Sequence, residues 1–164
     1  MRQVTAMVLA AAAAALCCAP ARAGPITITK QSDLAFGKVV MVGTSGTIIV
    51  PPSGLATYSG VVASGGVSPT PARFVIQGDP NTAIQVQLTY PIGGTYGAGG
   101  VSQLNNLKVQ ADYIFGFSQI GTYVKLRLDS AGTNAITVGG TMQLNTPTPG
   151  LTDILFPIQL SLAL

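Results

Sequence analysis

The sequence predicts an all-β protein: one immunoglobulin-like antiparallel β-sandwich over residues 24–164, preceded by a cleaved signal peptide over residues 1–23. Three observations carry this. Apolar and polar residues alternate at period two, and no eleven-residue window keeps the apolar stripe of a helix. The alternating runs are separated by Gly-, Pro- and Asp-rich turn signals. Charged residues make up only 8% of the chain against 48% hydrophobic ones, too apolar for disorder and too sparingly charged for an ordinary soluble surface.

The leader comes first. Arg2 supplies a positive start, Met7–Leu16 an Ala-rich apolar run, and Ala21-Arg22-Ala23 the small-x-small pattern read by a signal peptidase, so cleavage is expected before Gly24. The apolar stretch from Met7 to Ala19 is shorter than the roughly 20 residues needed to cross hydrocarbon, so no membrane span is expected after processing. Cys17 and Cys18 leave with the leader, and the exported domain must fold without a disulfide.

The first strand is expected at Ile26-Thr27-Ile28-Thr29-Lys30, free either to pair at home or to add to the sheet edge of another subunit. Leu34 and Phe36 then point to one face, with Gly37 placed for a bulge or a close approach. Pro51-Pro52-Ser53-Gly54 and Gly78-Asp79-Pro80-Asn81 read as turns. Ile84, Val86, Leu88 and Tyr90 alternate with Gln85, Gln87 and Thr89; a Gly-rich irregular stretch is expected over 91–106. Leu107, Val109 and Ala111 form the next inward row, followed by Val124, Leu126 and Leu128 and then by the turn Asp129-Ser130-Ala131-Gly132. Ile136, Val138, Met142 and Leu144 flank Gly139-Gly140, where a bulge suits the pattern better than a phosphate loop, because no helix-opening glycine motif is present. The last strand alternates apolar residues from Ile154 to Leu164. It reads as an inner strand of the sandwich, or as one side of a groove completed by another chain, with an edge-like stretch at Pro157. Eight to ten short strands in all are expected.

Residue chemistry narrows the function. The chain has no His and no Glu, so a Ser-His-Asp triad is impossible and the usual zinc and copper sites lose their preferred ligands. Asp33, Asp79, Asp112, Asp129 and Asp153 are the five acids, placed at expected turns and strand ends; no calcium-loop motif joins them. No catalysis, cofactor or metal is expected. After the leader, Lys30, Lys38, Arg73, Lys108, Lys125 and Arg127 face those five Asp, a balance of +1 that leaves no basic stripe for nucleic acid. An outer-membrane barrel would want aromatic girdles and an aromatic end, and Phe and Tyr number only five each.

Two sets of residues remain as candidates. Ile26 and Ile28 at one end of the domain and Ile158, Leu160 and Leu162 at the other form the expected assembly strip. Tyr96, in Gly94-Thr95-Tyr96-Gly97, and the shared face of Tyr123, Lys125 and Arg127 are the expected contacts for a glycan or an anionic surface.

Ile26–Lys30, Asp33-Leu34-Ala35-Phe36-Gly37, Pro52-Ser53-Gly54, Phe74–Asn81 and Val138–Met142, in that order, resemble a family of short exported bacterial domains known only as a domain of unknown function. That family is in turn distantly similar to the subunits of chaperone–usher fimbriae and to spore coat U type domains. The resemblance spans nearly all of residues 24–164. It implies export to the periplasm, cell surface or medium of a bacterium, and brings no catalytic residue. The expectation is therefore a structural or adhesive, fimbria-like subunit that assembles by strand pairing, as a homo-oligomer or with an envelope protein and a periplasmic chaperone. The alternative is a stand-alone secreted or periplasmic module binding glycans or surfaces. A surface poor in charge favours assembly, since subunits can pack without burying unpaired ions.

Overall fold

A computed structural model describes residues 24–64, 68–90, 93–96, 100–118, 123–145, 152–156 and 159–163. The strands are β1 Thr27–Ser32, β2 Leu34–Met41, β3 Gly46–Val50, β4 Thr57–Ser59, β5 Val61–Ala63, β6 Ala72–Gln77 and β7 Ala83–Thr89. They continue with β8 Gly93–Tyr96, β9 Gly100–Ala111, β10 Ile114–Ser118, β11 Tyr123–Arg127, β12 Thr133–Leu144, β13 Thr152–Phe156 and β14 Gln159–Leu162. No helix occurs among the described residues, and all strand pairing is antiparallel.

These strands form three sheets around one buried apolar cluster, a β-sandwich. The long β12 organises the first sheet. One of its flanks pairs with β6 through Thr133–Val138 and with β3 through Gly140–Leu144, while the other flank carries β9 and, beyond it, the β8 hairpin arm. β1 closes this sheet beside β6, and β4 closes it beside β3. The second sheet runs β10-β11-β7-β14 and the third runs β13-β2-β5.

The core follows the alternation. Ile84, Val86 and Leu88 on β7, Val124 and Leu126 on β11 with Leu128 just beyond it, and Ile136, Val138, Met142 and Leu144 on β12 are all buried. Phe36 and Phe74 are sealed at 0% and 1% exposure. Each such side chain contributes about 1.5–3 kcal/mol on leaving water.

Bulges reset the alternation where it would otherwise fail. On β2 the residues of the buried core cluster run Leu34, Phe36 and then Val39, so the inward parity changes from even to odd. The change occurs where the pairing with β13 slips, Ile154 facing Gly37 and Leu155 facing Ala35. Gly37 sits at φ 78°, in the left-handed region that glycine enters without a Cβ penalty. A second slip lies opposite Gly140. Gly139 faces Lys108 and Thr141 faces Asn105, so the extra residue belongs to β9, not to the glycine pair, and Asn106 takes it up at φ 48°. Inward parity on β9 accordingly moves from Leu104 to Leu107.

Two expectations are corrected. The Gly-rich stretch over 91–106 is not irregular throughout: Gly93–Tyr96 pairs with Gly100–Gln103 as a hairpin, since strand pairing needs backbone groups and not side chains. The strands number fourteen among the described residues. Sheet switches cut longer runs in two, at Asp33 between β1 and β2 and at Gly60 between β4 and β5. Two further turn signals of the sequence, Gly65-Gly66 and Thr146-Pro147-Thr148-Pro149-Gly150, lie outside the described residues.

Candidate functional site

The two ends of the expected assembly strip are held in the sandwich. Ile26 and Ile28 pack, partly buried, against the core, and β1 pairs with β6 from Thr27↔Gln77 to Ser32↔Arg73. At the other end, the single strand expected from Ile154 onward is two. β13 pairs with β2 and β14 pairs with β7, so the C-terminal segment supplies one strand each to the third and second sheets. Ile158 and Pro157 lie outside the described residues. Leu160 stands opposite Leu88 and Leu162 opposite Val86, both partners being buried.

β14 nevertheless presents an open edge. The Ala163 N–H donates to the Gln85 carbonyl at 3.0 Å, in register with Leu162↔Val86. Antiparallel pairs alternate between bonded and non-bonded, so Ser161 and Gln159 also bond toward β7, while the N–H and C=O of Leu160 and Leu162 point the other way. No strand pairs with that side among the described residues, and no charged residue or proline occurs between Gln159 and Ala163. Leu162, opposite the buried Val86, is still 39% exposed.

The expected ligand contacts divide in the same way. Tyr96 ends β8, paired with Gly100; its side chain lies outside the described residues. Tyr123, Lys125 and Arg127 share the outer face of β11, Tyr123 partly buried and the two cations exposed. Their cross-strand neighbours are Gln87, Gln85 and Ala83, and Ser161 lies beyond Gln87, so this face is flat and polar. Arg127 is already engaged: its Nε donates to the Asn81 carbonyl at 3.0 Å.

The densest polar arrangement was legible in the sequence only as separate turns. The Asp129 carboxylate organises its own turn. Its Oδ1 accepts from the N–H groups of Thr133 (2.8 Å) and Ala131 (2.9 Å), and its Oδ2 accepts from the Thr133 hydroxyl. The Thr133 N–H first, then the Thr133 hydroxyl, hold the Asp129 carboxyl below its ordinary range, outweighing partial desolvation, which raises it. This turn stacks on the one at residues 78–82: the Gly78 N–H donates to the Gly132 carbonyl, and the Asn81 N–H to the Asp129 carbonyl, each at 2.9 Å. Asp79, so positioned, reaches the first described residue, and the Gly24 nitrogen donates to its Oδ2 at 2.5 Å. Fifty-five residues separate the pair, so no local spacing signals it. Asp79 and Gly24 were readable only as a turn former and as the residue after a leader.

Among the described residues no helix is long and apolar enough to cross a membrane, and no three His, Cys, Asp or Glu side chains gather as metal ligands. Comparison with curated proteins and with solved structures finds no significant match. A family described as Domain of unknown function (DUF4402) matches residues 26–160, which takes in β1 to β13 and the first half of β14. With nearly the whole sandwich inside that match, this chain belongs to the DUF4402 family of domains of unknown function.

Proposed function

We propose that the protein is an exported structural or adhesive subunit of the bacterial cell envelope or surface, which assembles by adding a strand of a neighbouring molecule to the open edge of β14. The flank of Leu160 and Leu162, uncharged and unpaired among the described residues, carries this reading. Monomeric β-proteins ordinarily blunt such an edge with charge or proline, and this one has neither over Gln159–Ala163. The leader pattern of residues 1–23 supplies export, and a partner strand would cover the exposed part of Leu162 while pairing the outward amides.

The test is size-exclusion chromatography with light scattering on protein recovered after export of the full chain. Concentration-dependent oligomers are expected. Leu162→Pro removes an N–H that points away from β7, so it spares the home ladder while blocking the edge, and it should give a monomer. A wild-type monomer at all concentrations, or a Leu162→Pro variant that assembles unchanged, refutes the reading. The flat face of Tyr123, Lys125, Gln85 and Gln87 supports a second one, a stand-alone module that binds glycans or surfaces. A monomer retained on glycans, with retention lost in Tyr123→Ala, selects it.

A further inference from the structure

We infer that processing before Gly24 creates a structural ion pair: the new α-ammonium of Gly24 is captured by the Asp79 carboxylate, so that cleavage itself fastens β1 to the sandwich. This rests on the export reading above.

Four structural observations and one in the sequence converge on it. The Gly24 nitrogen already lies 2.5 Å from Asp79 Oδ2. The carboxylate also lies close against the backbone of residue 24, where a Cβ would stand 2.8 Å from Asp79 Oδ1. The receiving carboxylate is preorganised, because the 78–82 turn is pinned by hydrogen bonds to Gly132 and Asp129. Two charged groups beside the turn have bonds of their own: the Arg127 Nε donates to the Asn81 carbonyl, and the Asp129 carboxylate accepts from its own turn. In sequence, Ala21-Arg22-Ala23 ends at this nitrogen.

The chemistry is amide hydrolysis by an export peptidase. One water is consumed. Its hydroxyl goes to the Ala23 carbonyl carbon as the C–N bond breaks, and its hydrogen goes to the Gly24 nitrogen. At neutral pH the amine then takes a proton from solvent and the Ala23 carboxyl releases one. A single amide donor thereby becomes an ammonium with three donors and a full charge, facing a carboxylate. Because Gly24 is then anchored at home beside Ile26 and β1, assembly proceeds through the β14 edge and not by exchange of the N-terminal strand.

The test replaces residues 18–23 of the full chain with the recognition sequence of a site-specific protease that cuts before glycine. The same protein is then compared before and after cutting. Cutting should raise the Tm by about 1–4 °C, the scale of one partly exposed ion pair in a domain of this size. Asp79→Asn keeps a hydrogen-bond acceptor without the charge, and should abolish the rise. In the cut protein, α-amine acylation at pH 7.5 should run up to about tenfold faster in Asp79→Asn than in wild type, because the carboxylate holds the amine in its unreactive charged form. Equal Tm before and after cutting, or equal acylation with and without Asp79, overturns the inference. Separately, the native full chain expressed in a bacterial host should yield a product whose mass begins at Gly24. A product cut elsewhere also overturns the inference, whereas a leader retained uncut in the cytoplasm overturns the export reading alone.

Discussion

Gly132→Ala examines the contact on which the N-terminal junction is built. Gly132 sits at φ 76°, where an L-residue with a Cβ pays about 1–2 kcal/mol. The added Cβ would also overlap the Gly78 carbonyl oxygen and lie 3.4 Å from the Pro80 nitrogen. Backbone cannot rotate aside as a side-chain tip does, so the two turns must separate. Separation loses the 2.9 Å bond from the Gly78 N–H to the Gly132 carbonyl, a further loss of about 0.5–1.5 kcal/mol. Together these give about 2–3 kcal/mol, or a fall in Tm of about 6–12 °C by circular dichroism or calorimetry. Gly132→Asn separates the two causes, because Asn tolerates the left-handed region but carries the same Cβ. It should retain at least half of the loss. A Gly132→Ala protein melting within about 2 °C of wild type, or full recovery in Gly132→Asn, would show that the turns do not touch as described.

Two further outcomes follow from the same geometry. Gly139→Ala should cost far more than Gly140→Ala in denaturant unfolding, about 3 kcal/mol against about 1. A Cβ at 139 meets backbone, the Val50 carbonyl oxygen and the Pro51 carbonyl carbon, whereas a Cβ at 140 meets the rotatable ends of Leu104, Leu107 and Leu34. The reverse order would refute the close approach of β12 to the end of β3. For Asp129→Asn the expectation is a pH dependence. The folded carboxyl is held below its unfolded value near 3.9, so its stabilisation is complete above that value and is lost as pH falls through the folded one. Wild type should exceed the variant in stability at pH 6, and the gap should narrow as pH falls below about 4; a gap that does not narrow with falling pH would contradict the assignment.

Alternation over 84–88, 124–128 and 136–144 identified the inward face of β7, β11 and β12 directly, because a half-buried strand shows its burial in every second side chain. The turn at 129–132 was equally plain, since Asp and Gly occupy the positions that need a carboxylate acceptor and a positive φ. The extra residues beside Gly37 and at Asn106 were harder to place. A bulge changes which parity faces inward without changing the composition on either side of it.

By itself, then, the chain's residue pattern settled an all-β protein, most of its core and its family membership, all properties of local periodicity and ordered short motifs. Only folding in three dimensions determined that the C-terminal run is shared between β2 and β7, that Leu162 ends on a flank unpaired among the described residues, and that Gly24 meets Asp79. Period two states which way a side chain points and leaves the neighbouring strand unspecified. Pairing partners are selected by the packing of the whole sandwich, where residues distant in sequence are brought within hydrogen-bonding reach.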